Sequence, residues 1–141
     1  MKKILIFTEK NAARSQMLQG WLNYYLKEQA EVFCAGTHIE PIHILAQKAM
    51  MESVIDINKN TSSNISDFNQ HQFDFVIIAD HSSPDDLVFI HEPGEIIRHP
   101  FTNPRLAEGT DQEKLLAYRE ICNEIEDYAL EFAIKHFNIM Q

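Results

Sequence analysis

Short apolar runs and longer amphipathic segments alternate along this chain. Four short runs predict strands at residues 3–7, 31–35, 73–79 and 95–98. The first run is continuously apolar from position 4 to position 7, without polar alternation. That pattern is typical of a strand buried on both faces of a parallel sheet.

Three longer segments show the apolar spacing of helices with one buried stripe, at residues 13–27, 42–51 and 111–136. Strands that alternate with helices predict an α/β fold, a three-layer sandwich with a four-stranded parallel sheet. We expect residues 1–141 to form a single domain. The residues predicted to face the core are Leu18, Trp21, Leu22, Tyr25, Leu26, Leu45, Ala49, Met50, Leu115, Ile121, Ile125, Tyr128 and Phe132.

Polar stretches separate these elements. Residues 56–66 are predicted to be a loop with one capped turn at Ser66, and residues 81–86 a turn that starts a helix. In parallel sheets, ligands bind beyond the carboxyl ends of the strands. We therefore expect the loop 8–15, the turn at Asp80 and the loop 99–104 to meet at one edge and form a pocket.

The loop 8–15 carries the candidate chemistry. Its sequence, Thr-Glu-Lys-Asn-Ala-Ala-Arg-Ser, follows the first predicted strand and opens the first predicted helix. Backbone N–H groups in such a loop, together with the helix dipole, favour an anion. Arg14 lies at the first helical turn, where its planar guanidinium can hold two oxygens of an anion. The sequence therefore predicts an oxyanion site.

Composition and charge argue against several classes of function. The 141 residues carry a net charge of −9, which argues against binding to nucleic acid or to an anionic membrane. No apolar run approaches the ~20 residues of a membrane span, and residues 4–7 are too short for a signal-peptide core. The two cysteines and seven histidines show no metal-binding or redox spacing. We expect a cytoplasmic protein without a metal or a cofactor.

The loop resembles the C-x5-R-S/T signature of the low-molecular-weight protein tyrosine phosphatases and the related arsenate reductases. Asn11, Arg14 and Ser15 stand where that signature has its loop asparagine, its oxyanion-binding arginine and the hydroxyl that follows. The resemblance implies the family's fold and anion binding by these three residues. Further segments similar to the arsenate-reductase branch are Ala35-Gly36-Thr37, Ile55-Asp56-Ile57, His99-Pro100-Phe101 and Tyr118-Arg119-Glu120-Ile121.

Three departures from the family pattern concern catalysis. Thr8 stands in place of the nucleophilic cysteine, and Asn103 precedes Pro104 in place of the general-acid aspartate. A missing general acid costs ~10²–10⁴-fold in rate. Residues 79–89 contain none of the relay cysteines that arsenate reduction needs, and neither Cys34 nor Cys122 matches a relay position. These departures favour a non-catalytic member that binds an anion such as phosphate or sulfate.

Two alternatives stay open. In the first alternative, the chain is a weak or altered phosphatase that uses Thr8 or an activated water, with Glu9 as the nearby candidate base. In the second alternative, the chain is a structural partner of another protein, and its own Arg14 pairs with Glu9 and closes a vestigial loop. Lys10 replaces the family's loop glycine, so we expect backbone strain at Lys10.

Overall fold

Four strands form one parallel sheet in the computed structural model, which describes residues 1–58, 60, 62–87, 90 and 93–139. They are β1 (Lys2–Phe7), β2 (Ala30–Ala35), β3 (Phe75–Ile78) and β4 (Glu95–Arg98). Their order is β2-β1-β3-β4, and every neighbouring pair is parallel. The predicted four-stranded parallel sheet is confirmed, although β3 is shorter at both ends than the apolar run that predicted it.

Three α-helices, α1 (Arg14–Leu26), α2 (Ile44–Glu52) and α3 (Asp111–Phe137), pack against one face of the sheet. Two short 3₁₀ helices, Ile65–Phe68 and Pro84–Leu87, contribute residues to a smaller apolar cluster on the opposite face. The central strand β1 is therefore covered on both sides, and its residues from position 4 to position 7 are fully buried. None of the described helices is long and apolar enough to cross a membrane.

The predicted buried stripes need correction at four positions. Tyr25, Leu45, Leu115 and Tyr128 are only partly buried. Tyr25 keeps its hydroxyl at the surface, where it donates to the Glu126 carboxylate at 2.9 Å. The third helix buries further residues that the predicted stripe omitted, namely Tyr118, Cys122, Ala129 and Ala133.

Local capping decides where two of the helical elements begin. The Thr110 side chain accepts from the Glu113 N–H, and the Glu113 carboxylate accepts from the Thr110 N–H, so a capping box starts α3. The turn predicted at Ser66 is instead capped by Asn64, whose side chain accepts from the Ser66 N–H at 3.0 Å. The predicted helix start after residue 81 is the 3₁₀ helix Pro84–Leu87; Val88 and Phe89, which follow it, lie outside the described residues.

Candidate functional site

Three loops meet at the carboxyl edge of the sheet, as predicted. Residues 8–13 connect β1 to α1. The Glu9 N–H donates to an Asp80 carboxylate oxygen at 2.8 Å, which ties this loop to the turn after β3. Arg14 Nη1 donates to the Phe101 carbonyl oxygen at 2.9 Å, which ties it to the loop after β4. Backbone and carboxylate contacts thus hold the loop from both sides.

Three polar residues of the loop form a closed hydrogen-bonded set inside the protein. The Thr8 hydroxyl donates to Ser15 Oγ at 2.9 Å, and the Ser15 hydroxyl donates to Asn11 Oδ1 at 2.6 Å. The Asn11 N–H donates back to Thr8 Oγ1 at 3.2 Å. Thr8 is 3% exposed, and Asn11 and Ser15 are 0% exposed. The structure therefore brings together two of the predicted anion ligands with the position of the family's nucleophile.

The turn of the loop depends on Asn11. Its φ is 51°, in the left-handed region that asparagine tolerates better than most residues. The predicted strain at Lys10 is wrong, because the positive φ falls one residue later, at Asn11. Gly36 lies behind the loop, where a Cβ would collide with the carbonyl oxygens of Thr8 and Glu9. The loop therefore sits directly against the end of β2.

A cavity of about 20 Å³ lies at the centre of the loop. The backbone N–H groups of Lys10, Ala12, Ala13 and Arg14 have no acceptor in the part of the chain that the structure describes. Such a volume holds about one water-sized group. Successive unpaired N–H groups at the start of a helix are favourable for an anion. The residues lining the cavity are Thr8, Lys10, Asn11, Ala12, Ala13, Arg14, Asn103 and Arg105.

Arg14 is half-buried beside this cavity. Burial lowers its pKa, while the negative charges of Asp80 and Glu9 raise it. An arginine remains protonated under such influences, so the cavity keeps a fixed positive charge. The Arg14–Glu9 salt bridge of the vestigial-loop alternative does not form: the guanidinium binds the Phe101 carbonyl, and a Glu9 carboxylate oxygen lies 3.7 Å from His38 Nδ1.

Asn103 lies at the same cavity as Thr8. Its Oδ1 accepts the Arg105 N–H at 3.0 Å and caps the 3₁₀ helix Pro104–Leu106. A side-chain amide does not protonate a leaving group in the way a carboxylic acid does. The position that resembles the family's general acid therefore serves as a helix cap in this chain.

Neither cysteine is available as a nucleophile. Burial raises the pKa of the Cys34 thiol to about 12, and its Sγ donates to Gln19 Oε1 at 3.2 Å. Burial also raises the pKa of Cys122, which packs against Trp21. Since the thiolate is the reactive form, both groups are inert near neutral pH.

Two charged residues at the cavity mouth were not predicted from the sequence to lie at the site. Arg105 lines the cavity, and its Nη1 donates to Glu40 Oε1 at 2.8 Å. Glu40 also lies 3.7 Å from the Lys10 ammonium. Arg105 directly follows Asn103-Pro104, and this adjacency was the available signal. Nothing comparable in the sequence indicates that Glu40 lies at the loop.

Comparison with known proteins adds the family context. The family model "Low molecular weight phosphotyrosine protein phosphatase" matches residues 3–138. An arsenate reductase of Halalkalibacterium halodurans is 34% identical over 125 residues, which covers 88% of this chain and 90% of that protein. An arsenate reductase of Bacillus subtilis is 30% identical over 132 residues, covering 94% of this chain and 95% of that protein.

Solved structures show the same architecture. The structure described as "An arsenate reductase in the phosphate binding state" has a TM-score of 0.74 and 25% identity, and the match covers 96% of this chain and 98% of that one. Vibrio vulnificus Wzb in complex with benzylphosphonate has a TM-score of 0.79 over 95% of this chain and 98% of that one. At 18% identity, this second likeness concerns the fold alone.

Proposed function

This chain belongs to the low molecular weight phosphotyrosine protein phosphatase family, and we propose that it is a non-catalytic member that binds a phosphate-like oxyanion in the loop 8–15. The observation that carries the proposal is that four residues lining the cavity, Lys10, Ala12, Ala13 and Arg14, have backbone N–H groups without an acceptor among the described residues. Unpaired donors beside a fixed positive charge are the groups that recognise tetrahedral oxyanions.

Ser15 and Asn11 support binding indirectly. Their buried side chains bond to each other and to Thr8, so they hold the loop backbone in one conformation. Because the donors are already in place, the loop loses less conformational entropy when an anion binds. Phosphate, arsenate and sulfate share the tetrahedral shape that such an array fits, so all three serve as probes.

The partners of Thr8 support the proposed absence of catalysis. Its hydroxyl proton is already donated to Ser15, and an alcohol needs a general base to become a nucleophile. The two nearby carboxylates are engaged elsewhere: Glu9 lies beside His38, and Asp80 accepts the N–H groups of Glu9 and Ser82. With Asn103 as a helix cap, the described residues that line the cavity include no carboxylate and no imidazole.

Calorimetric titration with inorganic phosphate, arsenate and sulfate tests the binding. A charge-assisted contact from Arg14 contributes ~1.5–3 kcal/mol, so Arg14→Ala should weaken binding roughly 10- to 150-fold. Arg119→Ala is the matched control, because Arg119 pairs with Glu52 on the surface and does not line the cavity. Equal affinities of wild type and Arg14→Ala for these anions would show that they do not bind in the loop 8–15.

Hydrolysis of p-nitrophenyl phosphate tests the missing catalysis. We expect wild type and Thr8→Ala to release nitrophenol at the same background rate, because the Thr8 hydroxyl is not activated. Wild-type turnover that disappears in Thr8→Ala would instead show an altered phosphatase. Hydrolysis by wild type and by Thr8→Ala should be measured at several pH values, so that a shifted pH optimum is not mistaken for inactivity.

A further inference from the structure

Three cationic side chains, those of Lys10, Arg14 and Arg105, line the loop cavity. Arg14 points to the Phe101 carbonyl, whereas the other two both pair with the carboxylate of Glu40, at 3.7 Å for Lys10 and 2.8 Å for Arg105. The two cations thus share one carboxylate. Lys10 and Arg105 carry two positive charges against the one negative charge of Glu40, so these three side chains have a net charge of +1.

The backbone beside Glu40 is attached to the loop itself. The Ser62 hydroxyl contacts the carbonyl oxygens of both Glu40 and Asn11. Three residues after Glu40, the His43 N–H donates to the Ala12 carbonyl at 3.0 Å. The backbone of Glu40 is therefore held at the rim by its own segment, while its carboxylate contacts the two cations. Its position marks a place where a negative group is stabilised.

We propose that Lys10 and Arg105 form a second anion subsite beside Arg14, and that the loop takes an oxyanion with a second, adjacent anionic group, as in a diphosphate. This inference rests on the proposed oxyanion function. The central cavity, at about 20 Å³, admits little more than one water-sized group, so a bound tetrahedral ion must extend toward the rim. At the rim, the second group of the ligand replaces the Glu40 carboxylate between the two cations.

Displacement of Glu40 is feasible because its ion pairs are exposed. The side chain of Glu40 is 30% exposed, and those of Lys10 and Arg105 are 53% and 38% exposed. Exposed ion pairs are weakly stabilising, since water and salt screen them. A ligand group with two negative charges interacts with the same pair of cations more strongly than a single carboxylate does. Glu40 thus competes with the second anionic group of a ligand, so it lowers the affinity for such a ligand more than the affinity for a single oxyanion.

Titration of wild type and Glu40→Gln with inorganic phosphate and with pyrophosphate tests the subsite. Removing the competing charge should raise the affinity for pyrophosphate about 10-fold and that for phosphate about 3-fold or less. Glu52→Gln is the matched control, because Glu52 is another exposed glutamate paired with an arginine, Arg119 at 2.7 Å. It should change neither affinity. Equal gains for both anions, or no gain, would overturn the second subsite.

A second variant separates the subsite from the general charge of the protein. In the Glu40→Gln background, Arg105→Ala should abolish the preference for pyrophosphate, whereas Arg119→Ala should leave it intact. Phosphate binding that depends on Arg14 without any preference for pyrophosphate would overturn this inference and leave the proposed function standing. Absence of binding of either anion to wild type and to Glu40→Gln would overturn both. Thermal midpoints near the wild-type value establish that each variant is folded.

Discussion

Replacing Asn11 with alanine should destabilise the protein by about 3–4 kcal/mol. The side chain accepts the Ser15 hydroxyl at 2.6 Å and the Gln16 amide at 3.3 Å, and both bonds are buried. Each buried hydrogen bond contributes about 1 kcal/mol. Alanine must also adopt the left-handed backbone, with φ at 51°, at a cost of about 1–2 kcal/mol.

The predicted free energy converts into a measurable shift of the melting temperature. At about 2.1 cal/mol/K per residue, unfolding of 141 residues carries an entropy near 0.3 kcal/mol/K. Asn11→Ala should therefore lower the midpoint by about 10–13 °C in thermal unfolding followed by circular dichroism. Urea titration should give the same loss of unfolding free energy at 25 °C.

Two comparison variants separate the backbone from the side chain. Asn11→Gly loses the same bonds but accepts the left-handed conformation, so its loss should be about 0.5–1 kcal/mol smaller. Asn138→Ala is the matched control, because Asn138 has φ at 56° at the end of α3 and an exposed side chain. It should cost only the left-handed backbone term, about 1–2 kcal/mol. If Asn11→Ala cost no more than Asn138→Ala, the buried bonds of Asn11 would contribute nothing to stability.

Three further predictions concern chemistry. Thr8→Cys alone should restore little hydrolysis of p-nitrophenyl phosphate, because Asn103 supplies no proton; substantial turnover in this single variant would show that only the nucleophile is damaged. With arsenate and thioredoxin the wild-type protein should show no turnover, and arsenite formation coupled to thiol oxidation would contradict this. Because burial raises the pKa of Cys34 to about 12 and also raises that of Cys122, Ellman's reagent at pH 8 should label neither thiol until guanidinium unfolds the chain. Fast labelling of two thiols in the native protein would contradict that burial.

The sequence pattern alone was sufficient to predict the architecture and the edge of the sheet at which the three loops meet. Continuous apolar runs and helical spacing are properties of short segments, so the four strands and three helices could be predicted within a few residues. The shared edge of the loops followed from a geometric rule, because the carboxyl ends of parallel strands lie together. The resemblance added Asn11, Arg14 and Ser15 as candidate ligands, and two of these three are buried in one hydrogen-bonded set.

Local patterns were less successful where a side chain has two possible environments. Tyr25 and Tyr128 have the spacing of core residues, but each remains partly exposed. The hydroxyl of Tyr25 needs a polar partner and finds one in Glu126, at 2.9 Å. Periodicity identifies the face on which a residue lies, but not how far a neighbouring element extends over that face.

Only the tertiary structure decided which charges surround the loop. Glu40 and Arg105 are 65 residues apart in sequence, yet they form an ion pair of 2.8 Å at the cavity mouth. The left-handed turn at Asn11, rather than at Lys10, depends equally on long-range contacts, since the side-chain nitrogen Nδ2 of Asn11 lies 3.4 Å from the carbonyl oxygens of Cys34 and Ser63. Local propensity carries no information about such partners, because their positions relative to the loop are set by the packing of separate strands and helices.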